Sequence, residues 1–173
     1  MLTRRALLLS AAAWGGAAHA QQVQSQILIV DSERVFRDSL FGRRVAAEVE
    51  AQSAELAQEN QRIAAALAEE ERDLTAQRPE LPPEDFRALA EAYDLRVQET
   101  RRAQIAKSEA LDAQVEAEER AFFSAAAPVL ETLMREAGAA VVLEKDRVLL
   151  SATAIDITDA AITRIDAAIG DGS

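Results

Sequence analysis

Arg78-Pro79-Glu80-Leu81-Pro82-Pro83 carries three of the four prolines in this 173-residue chain. No helix continues through such a run, because each proline lacks an amide donor and its ring collides with the preceding turn. On the N-terminal side, residues 43–77 contain no Gly or Pro. Val45, Val49, Leu56, Ile63, Leu67 and Leu74 recur there at helical spacing, with Gln52, Asn60 and Glu70 filling the alternating steps of three and four. This is a narrow helical seam, interrupted by one extra four-residue step from Leu56 to Asn60. On the C-terminal side, Pro83 suits a first helical position, and Glu84 and Asp85 favour the positive end of a helix dipole. A second seam follows through Phe86, Leu89, Tyr93, Val97, Thr100, Gln104, Ser108, Leu111, Val115, Glu118 and Phe122. At ~1.5 Å per residue the first helix reaches about 50 Å and the second roughly 70–80 Å. Pro128 is expected to kink or interrupt the second near its base. Two matched seams joined by a short turn predict an antiparallel helical hairpin over residues 43–137, turning at 78–83.

The flanks read differently. Gln21–Gln26 is polar and predicts a loose start. Ile27-Leu28-Ile29-Val30 is a β-branched run that predicts a buried strand. Asp31 or Ser32 can cap the helix that follows, with Glu33 in its first turn. Val35, Phe36, Leu40 and Phe41 give that segment an apolar face, and Gly42 marks a break or a close approach. After the long run, Gly138 sits where a left-handed helix cap is expected. Val141-Val142-Leu143 and Val148-Leu149-Leu150 flank Lys145-Asp146 and predict a β-hairpin, although Lys-Asp is not a favoured turn pair. Thr158 is placed to cap a last helix carrying Ala161, Ile162, Ile165 and Ile169, and Gly170–Ser173 is expected to fray. Residues 21–42 and 138–173 thus form a small β-containing body with three short strands. The fold class is α+β and mostly helical. About sixty residues are too few for a comfortable core. Oligomerisation through the sheet is expected, by Ile27, Leu28, Ile29, Val30, Val141, Val142, Leu143, Val148, Leu149 and Leu150. Adjacent Phe122 and Phe123 cannot share one seam, so they are expected to pack the hairpin's base onto the body.

Met1–Ala20 has the form of an export signal. Arg4 and Arg5 precede the apolar run Ala6–Trp14, and Ala18-His19-Ala20 has the small-x-small form of a cleavage site. Thr3-Arg4-Arg5-Ala6-Leu7-Leu8 also fits a twin-arginine signal, but the general secretory route is expected. Cleavage after Ala20 removes the only His and the only Trp and takes the formal charge from −11 to −13. With no Cys at all, thiolate chemistry, Ser-His-Asp chemistry and Cys or His metal ligation are excluded. Strong acidity argues against nucleic acid. Glu69-Glu70-Glu71 and Glu116, Glu118, Glu119 lack the closely spaced loop ligands and turning Gly of a calcium site, so they read as solvated helix faces. No enzymatic activity, metal or cofactor is expected.

The layout resembles the Skp/OmpH family of periplasmic chaperones. Three stretches carry the resemblance: Ile27–Phe36 with Ser39 and Gly42 after it, Ala137–Leu143 leading to Val148-Leu149, and Asp156-Ile157-Thr158 before the last helix. The charged hairpin lies between the first two, and the match spans essentially the whole mature chain. The resemblance implies a homotrimer with a β-rich body and helical tentacles, holding unfolded outer-membrane β-barrel proteins without ATP. At the tentacle tip, Leu81, Phe86, Leu89 and Tyr93 are either a client-contact patch or packing across the hairpin. One departure stands out, because well-known members are strongly basic. Here Glu84–Arg135 holds 11 acidic and 7 basic residues, and Gly42–Pro83 holds 9 and 5. No lipopolysaccharide or anionic-lipid site is therefore carried over, and client capture is expected either to depend less on long-range attraction or to rely on local patches such as Arg101-Arg102. A structural coiled-coil spacer or a single-partner accessory factor is the alternative. A spacer would favour a regular, strongly apolar seam, which this is not.

Overall fold

The computed structural model describes residues 26–173. The predicted export signal lies outside the described residues. Strand β1 (Ile27–Val30) leads into helix α1 (Ser32–Asp38), then helix α2 (Leu40–Gln77). A tight turn joins α2 to helix α3 (Pro83–Glu136), which is followed by strand β2 (Val141–Glu144) and helix α4 (Thr158–Ile169).

Local chemistry explains the joints. Asp31 caps α1, its side chain accepting from the Arg34 amide at 2.9 Å. The break between α1 and α2 falls at Ser39 rather than at Gly42. The Ser39 hydroxyl donates to the Phe36 carbonyl at 2.7 Å and accepts from the Gly42 amide at 3.0 Å, ending one helix and starting the next. Gly42 is the close approach instead. A Cβ there would lie 1.9 Å from the Phe36 carbonyl oxygen.

Helices α2 and α3, of 38 and 54 residues, reach ~57 and ~81 Å. Pro82 is extended at the start of α3 and Pro83 begins it, as the turn requires. α3 runs through Pro128 without interruption. At its end Gly138 takes φ +66°. The Ala139 amide then bonds the Met134 carbonyl and the Gly138 amide the Arg135 carbonyl, which closes the helix with a Schellman cap.

The sheet departs from the predicted hairpin. β1 and β2 are paired in parallel, Ile27 opposite Val141 and Val30 opposite Glu144, in a two-stranded sheet. Residues 145–147 form a single 3₁₀ turn, and Val148–Leu150 is not a strand. A two-residue hairpin turn needs positive φ at its centre, and among the described residues no non-glycine adopts it. Side-chain bonds divert the chain as well: Glu144 accepts from the Ser32 amide at 2.9 Å and Lys145 reaches Asp156 at 2.8 Å. On the other edge of β1, Ile29 makes a parallel bridge with Asp156, and its carbonyl accepts from the Ile157 amide at 3.0 Å.

The core gathers where the hairpin is rooted. Val30, Val35, Phe41, Val45, Phe122, Ala126, Leu133, Ala161 and Ile165 are buried together. Phe36, Phe41, Phe122 and Phe123 form an aromatic cluster at its centre, Phe122 lying 5.2 Å from Phe36 and 5.4 Å from Phe41 between ring centroids. Gly170–Ser173 is held rather than frayed: the Asp171 carbonyl accepts from Arg44 at 2.7 Å and Gly172 packs on the Phe41 ring.

A methyl group at position 42 cannot fit without moving the α1 backbone. Gly42→Ala should therefore cost roughly 3 kcal/mol by overpacking. Urea denaturation will read this as a lowered midpoint, and an unchanged midpoint would refute the packing described.

Candidate functional site

Two surfaces stand out, one on the body and one on the hairpin. On the body a polar knot fixes three element ends. The Asp31 amide donates to the Thr158 hydroxyl at 3.0 Å. That hydroxyl donates to Asp156 Oδ1 at 2.6 Å, and the Thr158 amide donates to the same oxygen at 2.9 Å. Thr158 is thus the first residue of α4 rather than its cap; Ile157 holds the N-cap position, and the Asp156 carboxylate takes the first helical amide. Lys145 Nζ holds the other Asp156 oxygen at 2.8 Å. Arg34 joins the knot through Asp38 at 3.2 Å and through Asp159.

Burial pushes the Asp156 carboxyl up, but the hydrogen bonds from Lys145 and Thr158 outweigh it and hold the group at about 2, below the ordinary 3.8. The Lys145–Asp156 pair ties residue 145 to residue 156 and closes the intervening loop. Its far side carries Leu149 and Leu150, 95% and 89% exposed.

The predicted oligomerisation residues divide accordingly. Leu28, Ile29 and Val30 are buried within their own chain, and Val142 packs against the core. Val148 is half-buried. Ile27, Val141 and Leu143 are 38–44% exposed, beside a strand whose outer edge has no strand partner among the described residues. Leu149 and Leu150 add further exposed apolar side chains to the body.

On the hairpin, the half-buried positions follow the predicted seams closely: Val49, Leu56, Ile63, Leu67, Glu70 and Leu74 against Phe86, Tyr93, Val97, Thr100, Gln104, Leu111 and Val115. Glu59 takes the place of Asn60, Ala90 that of Leu89, and Gln52 and Ser108 are exposed. No residue between Val45 and Phe122 is fully buried. Ion pairs cross the gap instead: Glu59 to Lys107 at 2.6 Å, Glu118 to Arg44 at 2.8 Å, and Glu70 to Arg96. The Lys107 ammonium holds the Glu59 carboxyl below its usual range. Such solvent-exposed pairs set register more than they add stability. An open cleft of about 410 Å³ lies between Leu56, Glu59, Lys107 and Leu111, and nearby Gln104 Oε1 is buried without a hydrogen-bond partner.

At the tip, three of the four candidate contact residues are half-buried, and Tyr93 bonds across the hairpin. Leu81 is half-buried. Phe86 lies under the Arg78 guanidinium, 5.6 Å from the ring centre. The Tyr93 hydroxyl donates to the Leu67 carbonyl at 3.2 Å, and burial pushes its pKa up, helped by Glu71 and Asp94. Leu89 is open, at 41%. Leu95 and Ile105, 57% and 50% exposed, join it further along α3. Sequence reasoning missed these two, although large apolar residues standing off the seam were a usable signal. Among the described residues no cluster of His, Cys, Asp or Glu is arranged to hold a metal. Among them also, no helix is long and apolar enough to cross a membrane.

With this geometry in view, the family model described as "Outer membrane protein (OmpH-like)" matches residues 26–165. The chain belongs to the OmpH-like family. Among solved structures it is similar to a proposed OmpH-like outer membrane chaperone from Caulobacter crescentus, at 21% identity and a TM-score of 0.76, covering 84% of this chain and 86% of that one. At that identity the likeness speaks for the fold. Among curated protein sequences nothing matches significantly.

The Asp156 carboxyl is lower in the folded than in the unfolded chain. Its contribution is therefore in place above about pH 4 and fades as the pH falls toward 2. It is worth on the order of 2 kcal/mol. Asp156→Asn should lower the urea midpoint at pH 7 and flatten its fall between about pH 4 and pH 2. Parallel acid limbs in the two proteins would contradict the knot.

Proposed function

We propose that this chain is a periplasmic holdase chaperone that binds unfolded outer-membrane β-barrel proteins between helical arms and acts without ATP. The observation that carries the reading is the character of the hairpin. It is a long arm whose seam buries nothing completely between Val45 and Phe122, and Leu89, Leu95 and Ile105 stand open on α3. A holdase needs a broad, adaptable, weakly apolar surface that many sequences can touch and that keeps exposed strand edges apart. Membership of the OmpH-like family supports the chaperone role. It also supports a periplasmic address; in this reading the export signal read at Met1–Ala20 is the route there.

The arms work as a set. In this reading the chain assembles as a homotrimer through the open edge of β2 and the Val148–Leu150 segment, with Ile27, Val141 and Leu143 around them. Fully burying Leu149 and Leu150 would contribute about 1.5–3 kcal/mol each, and a strand edge of this kind calls for a partner. The net acidity of the arms leaves apolar contact as the main attraction to clients.

Dilution of a urea-unfolded outer-membrane β-barrel into detergent-free buffer, followed by light scattering, tests the proposal. Residues 21–173 should suppress aggregation, saturate at one trimer per client and persist at high salt, where charge attraction is screened. A well-folded trimer that protects at no ratio would overturn the holdase reading in favour of a structural spacer. Leu149→Asp should yield monomers with weak protection, because a charge is driven into the assembly face. Full activity in stable trimers would sink that face. Leu95→Asp combined with Ile105→Asp should leave folding unchanged, since both side chains are exposed. Client affinity should fall by roughly tenfold. Unchanged affinity would remove these residues from the client surface.

A further inference from the structure

Apart from the Arg164–Glu136 pair at the far end of α3, at 2.6 Å, the directional contacts between body and arm are concentrated at one place. The Leu40 amide, at the start of α2, donates to Asp166 on α4 at 2.8 Å. Arg44 Nε donates to the Asp171 carbonyl at 2.7 Å. Gly172, at φ +77°, lies so close to Phe41 that a Cβ would fall 2.2 Å from the ring. The same Arg44 sends Nη1 to Glu48 at 3.0 Å and Nη2 to Glu118 at 2.8 Å, with its guanidinium 4.6 Å from the Phe41 ring centre. One planar fork thus joins α2, α3 and the C-terminal segment, a geometry that lysine cannot reproduce.

From these contacts we infer that Asp166–Gly172 is a strap that sets the angle at which the arm leaves the body, with Arg44 as the positioning residue. The aromatic core beneath the root supplies burial, which is non-directional. The Ser39 caps fix only the junction of α1 and α2. The buried residues of α2 end at Val45, so no buried packing farther out sets the angle. Small changes at the root are amplified along the arm. At ~1.5 Å per residue Gln61 stands about 30 Å from Leu40, and a rotation of about 10° at the root displaces it by roughly 5 Å. The functional consequence, that strap tension sets the space available to a client, rests on the holdase reading. The geometry itself does not.

The chain has no cysteine, so spin labels can be placed at will. Gln61→Cys and Asp146→Cys, both at exposed positions, report the arm-to-body distance by pulsed EPR. Labelled chain is diluted in excess unlabelled chain, so that each assembly carries one labelled copy. Gly172→Val and Arg44→Gln should broaden the distribution and shift its mean by roughly 5 Å. Arg44→Lys should not rescue it, because the Nε–H is lost while the charge facing Glu118 remains. Asp171→Asn should match the parent, since the bond is to the backbone carbonyl. Distributions that superimpose on the parent for both Gly172→Val and Arg44→Gln would overturn the strap. If Arg44→Gln fails to fold, Gly172→Val alone decides. Client protection is measured on the same samples. A shifted arm with unchanged protection keeps the strap and counts against the holdase reading, whereas an unshifted arm refutes the strap whatever the protection.

Discussion

The parallel pairing of Ile27–Val30 with Val141–Glu144 is the constraint on which the rest of the molecule depends. Parallel neighbours need a crossover connection, and here the crossover is the entire helical hairpin. Both ends of the hairpin must therefore converge on one small sheet. Closing so long a loop would ordinarily cost chain entropy, but an antiparallel hairpin brings its own ends together. The convergence point is where the bulk accumulates: Phe36, Phe41, Phe122 and Phe123 meet there, and the core lies around them. Gly42 is small because α1 and α2 must turn sharply over that cluster.

Burial at the root leaves the arm free to be something else. Along α2 and α3 the seam is made of half-buried aliphatics, small residues and polar side chains. Register is kept by cross-helix ion pairs such as Glu59–Lys107, which are cheap to break. An arm built this way can bend and re-pack without endangering the body, whose stability comes from a separate set of contacts. The body, for its part, is tied by the knot around Asp156 and Thr158 and leaves Leu149 and Leu150 exposed. The two halves thus meet opposite demands, permanence at one end and adaptability at the other.

The hairpin was legible because long-period signals are redundant. Three prolines at 79–83 end one helix and begin the next, and the seam positions recur often enough that isolated exceptions, such as Gln52 or Leu89, do not hide the pattern. The sheet was less legible. Val141–Leu143 and Val148–Leu150 look like a local hairpin, but strand partners are chosen by contacts far away in sequence. Here those contacts include the Ser32 amide for Glu144 and Asp156 for Lys145. The C-terminal glycines looked like fraying for a similar reason. Gly172 is small because Phe41 lies against it, and nothing in a local window reveals that. Leu95 and Ile105 lie off the seam, so helical periodicity alone does not single them out.

The central claim is that clients are held by the arm and not by the body, and cross-linking locates them most directly. Single cysteines placed at Leu95, at Ile105 and at exposed Thr163 on α4 are given a photoactivatable thiol-linked probe. Each protein is then irradiated with an unfolded outer-membrane β-barrel and the adducts are counted. The account predicts strong adducts from positions 95 and 105 and little from 163. Equal yields at all three, or adducts from 163 alone, would contradict it.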